Sequence, residues 1–159
     1  MSFGFFFIFF AACCATAATG NLFPTGQWYA GLRKPFWTPP NWIFPIAWTV
    51  LYIILSYVGM RAALRVDGQV ALALWALQAS LSTLWTPVFF GLKKMGTAFV
   101  VMSGLWVFSV FAMVISFWKL EAILGILLLP YLVWVSFAAA LNFSVWRLNP
   151  HETPRDLSS

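Results

Sequence analysis

Charged residues are scarce in this chain, and their scarcity excludes most soluble folds. Only 8% of the 159 residues are charged and 62% are hydrophobic, whereas soluble domains usually carry about 25% charged residues. Histidine occurs once, at His151, and the two cysteines, Cys13 and Cys14, are adjacent. Neighbouring cysteines cannot bridge each other without severe strain, and one histidine makes no metal cluster or nucleophile–histidine pair. The sequence therefore predicts a membrane protein that binds no metal.

Acidic residues are rarer still, and their positions argue against a proton pump or an ion exchanger. Asp67 and Glu121 fall between apolar runs, and Glu152 and Asp156 fall in the C-terminal tail. Proton relays and cation sites in membranes use ionisable groups at membrane depth, and none of these four lies there. The net charge of +5 is not expected to bind nucleic acid, because the chain has no soluble basic face to carry such a site.

Long stretches without any charge predict the membrane spans. Residues 68–92, 95–118 and 122–146 carry no charge, and each exceeds the roughly 20 residues that a helix needs to cross the hydrocarbon. They are apolar on every side, which favours helices over a barrel. Residues 2–22 lack the Lys or Arg of a cleaved signal peptide, so we expect a further span there.

The remaining span follows three prolines that cannot lie inside a helix, Pro35, Pro39 and Pro40. Its helix is expected to start near Asn41 as N-cap, with Trp42 in the first turn. The sequence thus predicts an all-α membrane protein, a single domain over residues 1–159. Its five transmembrane helices would cover about 2–22, 41–62, 69–90, 96–117 and 122–147, followed by a tail at 148–159.

Basic residues predict the orientation, since short cytoplasmic loops are enriched in Lys and Arg. With five spans, one side would carry six of them: Arg33, Lys34, Lys93, Lys94, Arg147 and Arg155. The other side would carry three: Arg61, Arg65 and Lys119. The first loop and the C-terminus are therefore expected in the cytoplasm, although the sequence leaves open whether the membrane is an inner or an outer one.

The first loop, residues 23–40, is long for a compact bundle, and such loops are usually functional or disordered. Its aromatic residues Trp28, Tyr29, Phe36 and Trp37 would gain by packing, and its prolines lower the entropy lost on ordering. We therefore expect an ordered lid over one end of the bundle.

Three spans each carry a helical face that mixes aromatic with small or hydrogen-bonding residues. The helical spacing groups Trp48 and Tyr52; Gln78, Ser82, Trp85 and Phe89; and Tyr131, Trp134, Ala138 and Asn142. For any single tryptophan, ordinary interhelical packing or an interfacial belt is the favoured explanation. A pocket for a flat apolar ligand with polar edges is the alternative that also gives the polar groups partners.

Four motifs in these regions resemble those of the TspO/MBR family, the bacterial relatives of the mitochondrial translocator protein. They are Lys34-Pro35-Phe36-Trp37-Thr38-Pro39-Pro40, Phe44-Pro45-Ile46-Ala47-Trp48-Thr49-Val50-Leu51-Tyr52, Trp85-Thr86-Pro87-Val88-Phe89-Phe90-Gly91, and Pro130-Tyr131-Leu132-Val133-Trp134 with Leu141-Asn142-Phe143. The resemblance implies a five-helix bundle, commonly dimeric, with a pocket beneath the first loop. That pocket would bind porphyrins such as protoporphyrin IX, haem-pathway intermediates and, in some members, cholesterol.

The resemblance also assigns positions. Together with the helical faces above, it gives the expected ligand-binding set Trp37, Pro40, Trp48, Tyr52, Gln78, Ser82, Trp85, Phe89, Tyr131, Trp134, Ala138 and Asn142. Sterol-motif candidates are Leu141, Phe143 and Arg147. Two positions depart from the family pattern: Ser82 stands where Asn is usual, and Phe143 where animal members have Tyr, which places sterol binding below porphyrin binding.

The leading hypothesis is a membrane receptor or carrier for tetrapyrroles, without a covalently bound cofactor, acting in porphyrin sensing, transport or regulation. Its expected partners are a porphyrin, a sterol in second place, the lipid bilayer and a second copy of the chain. An alternative is an enzyme that degrades porphyrin in light through Trp48 and Trp134, residues that the resemblance links to that reaction. The chain offers no acid, base, metal or nucleophile at membrane depth, so conventional catalysis is not expected. A transporter that moves tetrapyrroles across the bilayer is the third hypothesis.

Overall fold

The computed structural model describes residues 2–151, apart from the side chains of Ser2 and Ser103. Six helices, numbered here α1 to α6, account for most of this part of the chain, and no strand occurs in it. Helix α1 is Ser2–Leu22, α2 is the short Gly26–Gly31, and α3 is Ile43–Ala63. Of the tail expected at 148–159, only the residues up to His151 are described; Arg155 lies outside the described residues.

The second half of the chain forms three long helices, two of which contain a π-helical segment. Helix α4 is Gln69–Thr86 and continues as the π-helical turn Pro87–Gly91. Helix α5, Met95–Leu120, contains the π-helical segment Val100–Trp106. Helix α6 is Ala122–Leu148 and keeps Pro130 inside it. The ends lie within three residues of the expected ones, so charge spacing located these helices well.

The start of α3 is a correction to the expected N-cap. The helix begins at Ile43, and Trp42 rather than Asn41 holds the N-cap position. Pro45 is the reason: it is the third helical residue, where an N–H has no partner within the helix anyway. A start one residue earlier would place Pro45 where its missing N–H removes the first helical hydrogen bond.

Four helices are long and apolar enough to cross a membrane, namely Phe3–Leu22, Ile43–Ala63, Met95–Leu120 and Ala122–Leu148. The expected span at 69–90 is helical too, but it is not among these four. Its polar side chains, which include Gln69, Gln78 and Ser82, make it less apolar than the others. The structure thus supports a multi-pass helical bundle, and the count of five spans is left as a prediction.

A proline begins the widened turn at the end of α4. Pro87 has no N–H, and its ring would clash with the carbonyl one turn before it in a regular helix. The turn that follows has wider bonding, in which the amide of Leu92 donates to the Pro87 carbonyl at 2.8 Å. Such π turns are frequent at functional sites, and this one places Phe89 and Phe90 beneath the lid.

The lid, residues 23–40, packs on the bundle through one of its halves. Leu32 is buried, and the rings of Tyr29 and Phe90 meet edge to face at 5.3 Å. Asn149, just after α6, fastens the chain: its side-chain oxygen accepts from the Arg33 amide at 2.9 Å, and its side-chain nitrogen donates to the Arg33 carbonyl at 2.8 Å. Phe36, which was expected to pack, is 99% exposed.

Candidate functional site

A cavity of about 330 Å³ lies beneath the lid, between α3, α4 and α6. We call it the first cavity. Its walls come from the lid and the loop after it, from the start of α3, from the end of α4 with its π turn, and from the C-terminal half of α6. They consist of Thr25, Tyr29, Asn41, Phe44, Trp48, Trp85, Phe89, Phe90, Ala138, Leu141, Asn142 and Val145. The volume falls at the lower end of the roughly 300–1,000 Å³ typical of ligand pockets.

Aromatic rings packed against one another form a rigid wall of the first cavity. Trp85 and Phe89 stack with ring centroids 5.1 Å apart and an angle of 28° between the planes. Phe89 in turn meets Phe90 edge to face at 4.8 Å. Flat rings held by neighbours in this way offer a rigid surface for another flat apolar molecule, because stacked and edge-to-face arrangements add to the energy of burial.

Asn142 holds one of these rings in place. Its side chain is buried, its oxygen accepts from the Trp85 indole N–H at 3.2 Å, and its nitrogen donates to the Met95 carbonyl at 3.1 Å. Both ends of the amide therefore already have a partner within the protein. The arrangement makes Asn142 a positioning residue for Trp85 that also lines the cavity.

Of the twelve expected ligand-binding residues, five line the first cavity. They are Trp48, Trp85, Phe89, Ala138 and Asn142. Two others, Tyr52 and Ser82, line a second cavity of about 420 Å³ between α1, α3 and α4. The remaining five line neither cavity.

Gln78 and Tyr131 lie deeper in the bundle. The Tyr131 hydroxyl donates to the Gln78 side-chain oxygen at 2.5 Å and accepts from the Trp106 indole N–H at 3.1 Å. All three side chains are buried, and Trp106 stacks on Trp48 at 6.0 Å with 13° between the planes. This buried chain of hydrogen bonds supports the cavity floor at Trp48, and the two polar residues find their partners within the protein.

Trp134, Trp37 and Pro40 lie beside the first cavity. Trp134 contacts Phe44, a wall residue, edge to face at 5.7 Å, and Trp37 contacts Phe137 at 5.5 Å. The indole nitrogen of Trp134 is the one buried side-chain polar atom, among the described residues, that has no hydrogen-bond partner. The Pro40 carbonyl accepts from the Ile43 amide at the start of α3.

The sterol-motif candidates do not converge. Leu141 lines the first cavity, whereas Phe143 is exposed and packs on Phe99, with centroids 5.0 Å apart. The Arg147 guanidinium lies 5.9 Å from the Phe143 ring. Residues two apart on a helix do not share a face, which is why Leu141 is turned away from the other two.

Sequence reasoning missed several wall residues. Tyr29, Phe44 and Phe90 line the first cavity, and so do Thr25, Asn41 and Val145. The aromatic content of the lid was a usable signal for Tyr29. Phe90 lies on the π turn Pro87–Gly91, whose side-chain directions regular helical spacing does not predict.

Positive charges lie at the edge of the lid. The Lys34 ammonium donates to the Tyr29 carbonyl at 2.8 Å and lies 4.4 Å from the centre of that ring. The Lys93 ammonium lies 5.7 Å from the Trp28 ring. Burial also raises the pKa of the Tyr29 phenol above its ordinary value, so this ring stays neutral at physiological pH. The described residues contain no group of three or more His, Cys, Asp or Glu side chains that could hold a metal ion.

Comparison with known proteins decides the family. Residues 7–147 match the TspO/MBR family. The chain belongs to the TspO/MBR family. It is 47% identical to protein CrtK of Rhodobacter capsulatus over 158 residues, which cover 97% of this chain and 98% of the relative. It is 48% identical over 150 residues to the tryptophan-rich sensory protein of Cereibacter sphaeroides, with 94% of each chain covered.

The similarity extends to animal proteins. The translocator protein of Homo sapiens is 35% identical over 141 residues, covering 82% of this chain and 81% of the relative. Membership of the TspO/MBR family and the four long apolar helices make the chain an integral, multi-pass membrane protein. Membership of this family, whose relatives include a sensory protein and a translocator protein, suggests a receptor or sensory role in the membrane.

Proposed function

We propose that this member of the TspO/MBR family is a five-span membrane receptor that binds a tetrapyrrole in the first cavity. The observation that carries the proposal is the aromatic wall, in which Trp85 stacks on Phe89 and Asn142 fixes the Trp85 ring. A porphyrin is flat, largely apolar and aromatic, so it matches that wall by dispersion and by stacking.

The charges near the lid fit the acidic edge of such a ligand. A protoporphyrin carries two propionates, and Lys34 contacts Tyr29, which lines the first cavity. Lys93 contacts Trp28, whose ring packs on the wall residue Phe89 at 5.9 Å. A carboxylate next to these ammonium groups would gain an electrostatic attraction, and it would remain near water at the membrane surface.

The size of the first cavity suggests that the lid moves. At about 330 Å³ it is near the lower limit for ligand pockets, whereas a tetrapyrrole is a large ligand. We infer that binding displaces the lid outward, with Tyr29 and Thr25 moving and the helical walls remaining in place. Loops that cover sites commonly move in this way.

The direct test is a titration of the purified protein with protoporphyrin IX, followed by tryptophan fluorescence. We expect saturable quenching that Ala138→Phe abolishes, because the added ring would fill the first cavity. Ala140→Phe, two residues away and exposed, adds the same ring outside the cavity and should leave the quenching unchanged. Trp48→Ala should weaken the binding as well. The proposal is refuted if quenching does not saturate, or if Ala138→Phe and Ala140→Phe behave alike.

Two rival functions lead to different results in the same preparation. A light-dependent degrading enzyme would need both Trp48 and Trp134 at the ligand, yet of these two only Trp48 lines the first cavity. The enzyme hypothesis predicts that illumination yields a defined product and that Trp48→Phe abolishes its formation. A transporter predicts accumulation of ligand inside sealed vesicles, whereas a receptor predicts equilibrium binding only. Sterol binding ranks lower, because Phe143 is exposed and apart from the cavity.

A homodimer is part of the proposal. Ala11 and Ala15 lie exposed on α1, and small residues allow close approach of helices in membranes. In contrast, Ala71 is buried within the chain, and Thr16 and Thr83 share a hydrogen bond of 3.0 Å between α1 and α4. The first pair is therefore available to a second copy, while the other three contribute to packing within one chain.

A further inference from the structure

The second cavity, of about 420 Å³, is separated from the first by two tryptophans. Only Trp48 and Trp85 appear in both walls. Their rings therefore form a partition with one cavity on each side. Trp106 and Tyr52 complete the aromatic part of the second wall.

The second cavity lies where α1 presents small side chains toward α3. Away from the lid they are in tight contact: a Cβ added at Gly59 would come within 2.7 Å of the Phe9 ring, and the Ser56 hydroxyl lies 3.9 Å from the Cys13 sulfur. Nearer the lid, α1 offers only small side chains to the wall, among them Ala17 and Gly20. A Cβ added at Gly20 would meet nothing within 4 Å.

The mouth of the second cavity lies between two membrane-spanning helices. Cys14, Ala17, Pro45 and Thr49 line it and are exposed. They belong to α1 and α3, both of which are long and apolar enough to span a membrane. The mouth therefore opens toward acyl chains, beside the α1 face proposed for a second copy, and a molecule dissolved in the bilayer can reach the cavity without passing through water.

The chemistry of the wall selects a neutral molecule. No charged side chain lines the second cavity, so an ionised ligand would lose its hydration without gaining a counter-charge, which is costly. Hydroxyl groups are present instead. Tyr52 and Ser82 line the cavity, and neither side-chain hydroxyl forms a hydrogen bond within the part of the chain that the structure describes.

We propose that the second cavity is a separate binding site for an uncharged, lipid-soluble amphiphile with a hydroxyl or carbonyl group. The apolar part of the ligand would lie against Phe10 and the indoles of Trp48 and Trp106. Its polar group would pair with the hydroxyls of Tyr52 and Ser82. The site does not depend on the tetrapyrrole proposal.

The test uses photo-crosslinking in the reconstituted full chain. The probe is hexadecanol with a diazirine in its chain, and the labelled residues are located by mass spectrometry. We expect labelling at the wall residues Thr49 and Tyr52. Unlabelled hexadecanol, at ten times its half-saturating concentration, should reduce it about tenfold. Labelling at Val50 and Ile53, which are exposed on the same helix, should show no such competition.

Matched variants and a charged probe complete the experiment. Gly20→Leu should abolish the competed labelling by filling the space, whereas Ala18→Leu, exposed and outside the wall, should not change it. The same diazirine chain ending in a phosphate should not label Thr49 and Tyr52. Labelling that does not saturate, that survives Gly20→Leu, or that is equal for the phosphate would overturn the proposal. The proposal would also be overturned if protection of Thr49 and Tyr52 from labelling depended on protein concentration, because a second copy would then cover the mouth. No porphyrin is present, so failure here leaves the receptor proposal untouched.

Discussion

Asn149 is the residue whose removal should loosen the lid most directly. Its side chain forms two hydrogen bonds with the backbone of Arg33, at 2.9 and 2.8 Å, and a third with the Val145 carbonyl at 2.7 Å. Asn149→Ala removes both bonds between lid and helix. At about 1 kcal/mol net for each bond, the closed lid loses about 2 kcal/mol, which corresponds to a roughly 30-fold rise in the ratio of open to closed forms.

Amide hydrogen exchange measures this change, because protection of a backbone amide scales with the free energy of local opening. The amides of Tyr29 and Leu32 are suitable reporters, since both donate to carbonyls within the lid and neither bonds to Asn149. We expect their protection to fall about 30-fold in Asn149→Ala. Protection within α3 should not change.

The matched control is Asn21→Ala, which removes an exposed asparagine at the end of α1. It should leave the protection of Tyr29 and Leu32 as in the wild type. The reasoning is refuted if Asn149→Ala leaves the protection of the lid amides unchanged, or if Asn21→Ala lowers it equally. The hydrogen bonds between Asn149 and Arg33 would then not hold the lid on the bundle.

Three further predictions concern packing and pH. Trp75→Phe removes the indole hydrogen bond to the buried Leu55 carbonyl at 2.9 Å and should lower the free energy of unfolding by about 1 kcal/mol. Gly125→Ala should lower it by about 1–3 kcal/mol, because the new Cβ would lie 2.8 Å from the Cβ of Trp118; both effects can be measured by denaturant titration in micelles. Burial raises the pKa of Tyr29, so the contribution of its neutral phenol to lid attachment should be complete below about pH 10. It should be lost as the pH rises through the higher pKa of the folded state, which the absorbance of the phenolate at 295 nm will show.

Each of these has a control and a contradicting result. The control for Trp75→Phe is Trp118→Phe, which changes an exposed ring, and the control for Gly125→Ala is Gly4→Ala, where a new Cβ meets nothing within 4 Å. Both controls should change the free energy of unfolding little. A control that loses as much stability as its test variant would contradict the packing argument. Tyr29→Phe should remove the late phenol titration from the difference spectrum. A spectrum without a component above the ordinary value would contradict the burial of Tyr29.

Charge spacing could predict the helices because the membrane imposes one simple requirement, a long apolar run without charge. It could not predict the π-helical segments, since Pro87 disturbs a helix in several ways and the surrounding packing decides among them. Nor could it fix the start of α3, where Pro45 rather than the capping residue Asn41 determined the first helical hydrogen bond.

Helical spacing could predict which face of a helix carries the residues of the candidate site. It could not predict their level along the helix axis. Gln78, Ser82, Trp85 and Phe89 do share one side of α4, yet 11 residues of helix extend over roughly 16 Å. The same face therefore passes a buried network at Gln78, the second cavity at Ser82, the partition at Trp85 and the first cavity at Phe89. Helical spacing contains no signal that separates these levels.

The central claim is that the first cavity holds the ligand, and a structure of the protein with protoporphyrin IX tests it most directly. The account predicts the macrocycle against the rings of Trp85 and Phe89, above Ala138, with Tyr29 displaced and the propionates toward Lys34. A porphyrin found on the lipid-facing surface, with the space between Trp85 and Ala138 unchanged, would contradict the account.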